Sequence, residues 1–191
     1  MLDFFSTPLQ GLDPDVFNLI SYEAERQARK IIMIPSESQA PEAVREALGS
    51  VFQNIYAEGY PNPDTQGLTQ GEILDYEVQL ARYRRFGDKR YYKGVEYADV
   101  VEALARRRAA EAFAANGVAP EDIYANVQPL SGSPANSAIY AALVPVGATV
   151  MGMDLLHGGH LTHGSPANRS GKLYKIVSYG IDPQTERLNY D

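Results

Sequence analysis

The three histidines of this sequence lie together in one glycine-rich segment, His157–Gly164 (HGGHLTHG). Their spacing at i, i+3 and i+6 is compatible with zinc, but no acidic residue stands among them and the glycines favour a loop. An imidazole can also stack on a flat ligand or carry protons near neutral pH. The segment follows a predicted strand, where open α/β sheets bind ligands, so a binding role is favoured over a plain polar loop.

A second candidate site is the segment Ser131–Asn136 (SGSPAN), which follows a predicted strand and opens a predicted helix. A helix N-terminus offers unpaired amides and about half a positive charge, Gly132 allows close approach of an anion, and Pro134 suits the first turn. These features are typical of a phosphate site. An ordinary serine-capped helix remains the alternative, and the Gly-Lys-Ser/Thr ending of a P-loop is absent.

Two further polar segments contain residue types that could contact a substrate. Asn54–Pro61 (NIYAEGYP) and Arg90–Tyr92 (RYY) combine tyrosines with a glutamate, which supply hydrogen bonds and a proton-transfer group, although tyrosines are equally common in interfaces. Ser36–Ser38 follows an extended stretch and either touches a ligand or caps the helix that Pro41 begins.

The helices that would position these residues follow from hydrophobic spacing and capping signals. Asp13 and Pro14 begin an amphipathic helix with a charged outer face, and a long loop is predicted over residues 54–71. The remaining predicted helices begin at Pro41, extend over Glu72–Phe86 with Gly87 and Asp88 as the stop, extend over 96–116, and run from the Ser131 turn to about Leu143.

Three predicted strands alternate with helices in the second half of the chain. They are Ile123–Val127, Thr149–Met153 and Leu173–Tyr179, with turns at Gly147 and at Asp182-Pro183. Strands separated by helices indicate a parallel α/β sheet with crossover connections.

Composition excludes several functional classes. The chain has 191 residues, no cysteine and a formal net charge of −7. A disulfide scaffold, a cysteine nucleophile and an iron–sulfur cluster are therefore excluded, and the acidic balance argues against nucleic-acid binding. We find no signal peptide and no apolar run near the roughly 20 residues of a membrane-spanning helix, so a cytoplasmic location with no membrane partner is expected.

Taken in order, these motifs resemble the serine hydroxymethyltransferase family over nearly the whole chain. The segments that carry the resemblance are Ser36-Glu37, Tyr56–Pro61, Arg90–Tyr92, Ala125–Pro129, Ser131–Asn136 and His157–Gly164. The resemblance implies a fold-type I pyridoxal-phosphate-dependent transferase of α/β class, with an N-terminal helical arm and the first part of the large domain. It also implies serine–glycine interconversion with tetrahydrofolate, in a homodimer with shared active sites.

The resemblance also implies roles for individual residues. Gly132 and Ser133 resemble part of the phosphate cradle, and His160 resembles the imidazole that stacks on the pyridine ring. Tyr56 and Glu58 resemble a pair that reaches the active site of the other subunit, where Glu58 handles protons. The residues that resemble substrate or folate contacts are Ser36, Tyr92, Leu155, Gly159 and Leu161.

The sequence departs from the family pattern at several points. Residues 62–88 resemble an insertion, Lys93 stands where glycine is usual, and Leu130 stands where histidine is common. The family's covalent lysine belongs to a Thr- and His-rich segment that none of the five lysines here matches.

We therefore expect an arm over residues 1–35 and, over residues 36–191, the first part of the large domain, truncated before that lysine, with an incomplete sheet and no activity alone. The alternatives are a folate-independent aldolase of β-hydroxy amino acids and a non-catalytic fragment that pairs with full-length subunits.

Overall fold

The computed structural model describes residues 3–87, 89–188 and 190. The chain divides into two compact units, Met1–Tyr56 and Ala57–Asp191. Among the described residues, no helix is long and apolar enough to cross a membrane.

The N-terminal unit consists of helices whose apolar side chains remain exposed. Its helices are α1 (Leu9–Leu12), α2 (Pro14–Arg29) and α3 (Glu42–Leu48). As predicted, α2 begins at Pro14, and the Asp13 carboxylate accepts a hydrogen bond from the Val16 amide. No residue of α2 is buried, and Leu19 and Ile20 are 63% and 56% exposed. Apolar side chains of this helix are therefore left uncovered by the other described residues of its own unit.

The second unit is organised around one long helix. Its helices are α4 (Gln70–Ile73), α5 (Tyr76–Phe86), α6 (Glu96–Phe113), α7 (Gly132–Leu143) and α8 (Arg169–Leu173). Helices α4 and α5 pack against α6, and so does the 3₁₀ turn Pro120–Asp122. The buried hydrophobic side chains of the described residues lie in this region: Ile73, Val95, Ala103 and Ala110.

The single helix predicted over Glu72–Phe86 is wrong, because the structure has two helices there. Thr69 and Glu72 form a capping box that starts α4 at Gln70. Asp75 then accepts a hydrogen bond from the Val78 amide at 3.1 Å and starts α5. The predicted end at Gly87 is confirmed, since Gly87 has a φ of 66°, whereas Asp88 lies outside the described residues.

Two of the three strands predicted in the second half of the chain are present, and they pair in parallel. Strands β1 (Thr149–Met153) and β2 (Lys175–Tyr179) pair in parallel, with Thr149 opposite Lys175 and Met153 opposite Tyr179. The crossover between them contains α8, which the Asn168 side chain caps. Leu173 was expected to begin the strand, but it ends α8 instead.

The strand predicted over Ile123–Val127 is absent from the described residues. Its backbone carbonyls are held by side chains rather than by a neighbouring strand: Gln66 Nε2 donates to the Ile123 oxygen at 3.1 Å and Arg106 Nε to the Ala125 oxygen at 3.0 Å. The segment therefore lies along α6 as extended chain. Helix α6 itself ends at Phe113, three residues short of the prediction, before the left-handed Asn116 and Gly117.

Candidate functional site

The histidine-rich segment folds into two consecutive 3₁₀ turns that directly follow β1. The turns are Leu155–His157 and Leu161–His163, and they end at Gly158 and Gly164, whose φ angles of 103° and 117° favour glycine. The first turn begins where the Asp154 carboxylate accepts from the Leu156 amide at 2.8 Å. The loop predicted from the glycines is therefore an ordered structure at the carboxyl end of a parallel strand.

Each imidazole in this loop accepts a backbone hydrogen bond at Nδ1. The donors are the amides of Ile181 to His157 (3.1 Å), of Thr162 to His160 (3.2 Å) and of His160 to His163 (3.0 Å). An Nδ1 that accepts places the proton of a neutral ring on Nε2. Each ring is thereby fixed in position, and no group of three or more potential metal-ligating side chains occurs among the described residues.

A hydrogen-bonded path connects the histidine loop to helix α7. Asn136 Nδ2 donates to the Thr162 hydroxyl at 2.8 Å, and that hydroxyl lies 2.8 Å from His160 Nδ1. Because His160 Nδ1 is an acceptor, the Thr162 hydroxyl donates to it. Thr162 is only 1% exposed, so this path is shielded from water. It brings the first turn of α7, which contains Ser133, and His160 into one site.

The N-terminus of α7 is uncapped by its own side chains. Ser131 occupies the N-cap position without a side-chain cap hydrogen bond. A Cβ placed on Gly132 would meet no atom within 4 Å, so the backbone there is open to approach. The amides of the first turn and the hydroxyls of Ser131 and Ser133 consequently remain as potential donors to an anion.

The segment that contains Glu58 lies beside the chain that leads into α7. Gln128 Nε2 donates to the Gly59 oxygen at 2.7 Å and to Glu102 Oε1 at 2.9 Å. On the other side of this segment, the Tyr91 amide donates to the Glu58 oxygen at 3.0 Å. The structure therefore joins the Glu58 segment to the chain at Gln128, three residues before Ser131.

The buried side chain of Arg90 holds the backbone of the Glu58 segment in place. Its side chain is only 1% exposed. The guanidinium forms an ion pair with Asp99, and its Nη2 lies 2.5 Å from Glu102 Oε2. Its Nη1 donates to the backbone oxygens of Ala57 (2.6 Å) and Gly59 (2.9 Å). Burial by itself would lower the pKa of the guanidinium, but the hydrogen bonds to Asp99 and Glu102 outweigh it and raise the pKa. The hydrogen bonds from Arg90 to Ala57 and Gly59 therefore connect the chain before residues 62–88 with the chain after them.

The other predicted site residues differ in their surroundings. In the two 3₁₀ turns, Leu155 and Leu161 are 51% and 46% exposed, and Tyr92 is 40% exposed. Gly159 is packed so closely that a Cβ there would overlap the Met153 carbonyl oxygen. Ser36 and Tyr56 belong to the N-terminal unit, and both are exposed there.

We expect Thr162→Val to destabilise the protein by about 1–3 kcal/mol, because it deprives Asn136 and His160 of a buried partner while keeping the side-chain shape. Chemical denaturation measures this loss. Histidine-ring NMR should show a change at His160 and little change at His157.

The matched control is Thr149→Val on the exposed start of β1. Its free energy of unfolding should change by less than about 0.5 kcal/mol. Equal effects of the two substitutions would contradict a structural role for the Thr162 hydroxyl.

The sequence pointed to the motifs but not to the residues that connect them. Gln128, Asn136 and Thr162 stand inside the quoted motifs, yet no role was predicted for them, nor for Arg90. A possible signal was their type, since amides and buried hydroxyls beside candidate site residues often hold them in place.

The strand, the histidine loop and the helix N-terminus define an α/β protein with a candidate anion site at the carboxyl end of β1. The family model for serine hydroxymethyltransferase matches residues 9–86 and 83–191 of the chain. Together these stretches cover nearly all of the sequence, and the chain belongs to the serine hydroxymethyltransferase family. The resemblance read from the motifs is thus confirmed at the level of the family. The two matched stretches overlap at residues 83–86, which lie inside the segment 62–88.

Proposed function

We propose that this chain supplies the first part of a pyridoxal-phosphate-dependent enzyme that interconverts serine and glycine, with tetrahydrofolate as one-carbon acceptor or donor. Membership of the family supports hydroxymethyltransferase activity. The observation that carries the proposal is the shielded path from Asn136 through Thr162 to His160, which joins a helix N-terminus to an imidazole.

The residues present fit the two ends of the cofactor. The uncapped first turn of α7 offers the amides of Gly132 and Ser133 and the Ser133 hydroxyl to a phosphate. His160, fixed at Nδ1 and exposed on its remaining surface, supplies a flat face for an aromatic ring. When bound, pyridoxal phosphate supplies the electron sink for the carbanion chemistry.

The remaining residues in our proposal bind substrates and handle protons. Glu58, held by its backbone beside Tyr91, would exchange a proton with the substrate hydroxyl. Ser36 and Tyr92 would contact the amino acid, and the exposed side chains of Leu155 and Leu161 flank Gly159 in a folate pocket.

A homodimer with shared active sites is the other part of the proposal. Forty large hydrophobic side chains are exposed in the described residues, against four buried hydrophobic ones. Extensive exposed apolar surface is typical of proteins that bind a partner through it. In the proposed dimer, the exposed apolar face of α2 would pack against the second subunit, and Tyr56 would reach the active site of that subunit. The same exposure also favours the alternative that this chain pairs with full-length subunits without catalysing a reaction.

We expect pyridoxal phosphate to bind the protein saturably, and Ser133→Asp to weaken that binding about tenfold or more. The reason is that two like charges close together repel by about 1–4 kcal/mol. His160→Ala should weaken binding roughly twofold to tenfold through lost ring contact. Titration followed by ³¹P NMR and absorbance measures both effects.

The matched control is Ser137→Ala, one turn further along α7, which should leave the affinity within about twofold. Unchanged binding in Ser133→Asp and His160→Ala would overturn the proposed site. We further propose that cofactor binding here is not covalent, so borohydride reduction should label none of the five lysines stoichiometrically.

Tetrahydrofolate dependence distinguishes the proposed reaction from that of a folate-independent aldolase. In the whole enzyme whose first part we propose this chain to be, formation of glycine from serine that requires tetrahydrofolate supports the transferase, and equal rates without it support the aldolase. Turnover by the chain alone would contradict our expectation that it is inactive by itself.

A further inference from the structure

A pocket in the second unit lies between α6 and the segment of residues 62–89. Its volume is about 540 Å³, part of which is open to solvent. Three lining side chains are apolar: Ile73, Val100 and Ala103. Ile73 and Ala103 are 1% and 4% exposed, so this wall of the pocket is firmly packed. None of the lining residues belongs to the histidine loop or to α7.

Glu96, the first residue of α6, lines this pocket and has an unsatisfied carboxylate oxygen. Its Oε2 is buried and makes no hydrogen bond with any described residue. A buried carboxylate oxygen without a donor raises the free energy of the folded state, and a ligand that supplies the donor recovers that cost. Glu96 therefore indicates a ligand group that donates hydrogen bonds and carries positive charge.

The other polar groups that line the pocket, the ammonium of Lys89 included, make no hydrogen bond to Glu96 Oε2. Arg82 lies 3.1 Å from Asp64, and Asp99 pairs with Arg90. The Tyr83 hydroxyl accepts from the Gly94 amide at 2.8 Å, which leaves its own hydrogen available to a ligand. The acidic side chain of the pocket whose oxygen has no donor is thus Glu96, next to an apolar wall.

We propose that this pocket binds a small primary amine, whose ammonium group donates to Glu96 Oε2 and whose hydrocarbon part contacts Ile73, Val100 and Ala103. An ammonium group has three donors and the charge that a buried carboxylate requires. A bare metal ion is disfavoured, because no group of three or more His, Cys, Asp or Glu side chains that could hold one occurs among the described residues.

The test uses benzylammonium as the probe, with benzyl alcohol and benzoate as matched neutral and anionic probes. Titration of the full chain, followed by methyl NMR of Ile73 and Val100, should show saturable shifts with benzylammonium. Benzyl alcohol should bind about tenfold more weakly, which is the effect of losing one charged hydrogen bond, and benzoate should not bind. Absence of saturation with benzylammonium, or equal binding of benzoate, overturns the proposal.

Two variants locate the site. Glu96→Gln should weaken benzylammonium binding about tenfold, whereas Glu77→Gln on the exposed face of α5 should not change it. Val100→Phe fills the pocket and should abolish binding independently of charge, so it decides the matter if Glu96→Gln does not fold. Retained affinity in folded Glu96→Gln or in folded Val100→Phe overturns the proposal. Because no site residue of the transferase is changed, failure here leaves the proposed function untouched.

Discussion

Replacing the buried arginine of the Glu58 segment should give one of the largest losses of stability in the protein. We expect Arg90→Met to lower the free energy of unfolding of the second unit by about 3–5 kcal/mol. The reason is that Asp99 and Glu102, whose side chains are only 18% and 13% exposed, would lose their shared cation. Urea denaturation, monitored by tyrosine fluorescence, measures the loss.

A second measurement connects this cluster to the candidate site. Arg90 holds the carbonyl oxygens of Ala57 and Gly59, and the Tyr91 amide donates to the Glu58 oxygen between them. Hydrogen exchange at the Tyr91 amide should therefore accelerate in Arg90→Met even under conditions in which the protein remains folded.

The control is Arg84→Met on the exposed side of α5, which should change stability by less than about 0.5 kcal/mol. A similarly small effect of Arg90→Met, with slow Tyr91 exchange, would show that the buried ion pairs do not hold this segment.

Adding a single methyl group to the centre of β1 should disrupt the histidine loop. A Cβ at Gly152 would overlap the carbonyl oxygen of His163 and lie 3.1 Å from its Cβ. Gly152 is buried, and the second 3₁₀ turn packs directly on the strand, so the loop must move away. We expect Gly152→Ala to destabilise the protein by about 1–3 kcal/mol, the usual cost of overpacking.

The expected structural signature of Gly152→Ala is a change at His160 and His163. Displacement of the turn would break the hydrogen bond from the His160 amide to His163 Nδ1, which is 3.0 Å long. Ring NMR of the histidines measures this change, and weaker binding of pyridoxal phosphate should accompany it.

The matched control is Gly71→Ala in α4, where a Cβ would meet no atom within 4 Å. Alanine is the better helix former, so this control should be neutral or stabilise the protein by up to about 1 kcal/mol. If Gly152→Ala were as stable as the control, the packing of the loop on β1 would not constrain the histidines.

Local signals in the sequence were sufficient for several elements. Asp13 with Pro14 marked the start of α2, and Thr149–Met153 was predicted with its observed bounds, because caps and β-branched residues act over a few neighbouring positions. The break between α4 and α5 was also encoded locally, by the capping box at Thr69 and by Asp75, but the periodicity of apolar residues concealed it.

Non-local signals explain what the sequence failed to predict. Ile123–Val127 has the composition of a strand, yet a strand forms only where a neighbouring backbone offers hydrogen bonds. In the structure the side chains of Gln66 and Arg106, which are distant in sequence, donate hydrogen bonds to the carbonyl oxygens of this segment instead. The roles of Asn136 and Thr162 were hidden for the same reason, since their contact spans 26 residues.

The sequence by itself determined the family and the order of the motifs, because residue types and their spacing are properties of the chain alone. Only the tertiary structure decided which motifs meet: Asn136 with Thr162, Gln128 with Gly59, and Arg90 with the carbonyls around Glu58. Such contacts depend on where the chain folds back on itself. A buried polar group binds whichever partner the fold places within reach, and no local pattern specifies that partner.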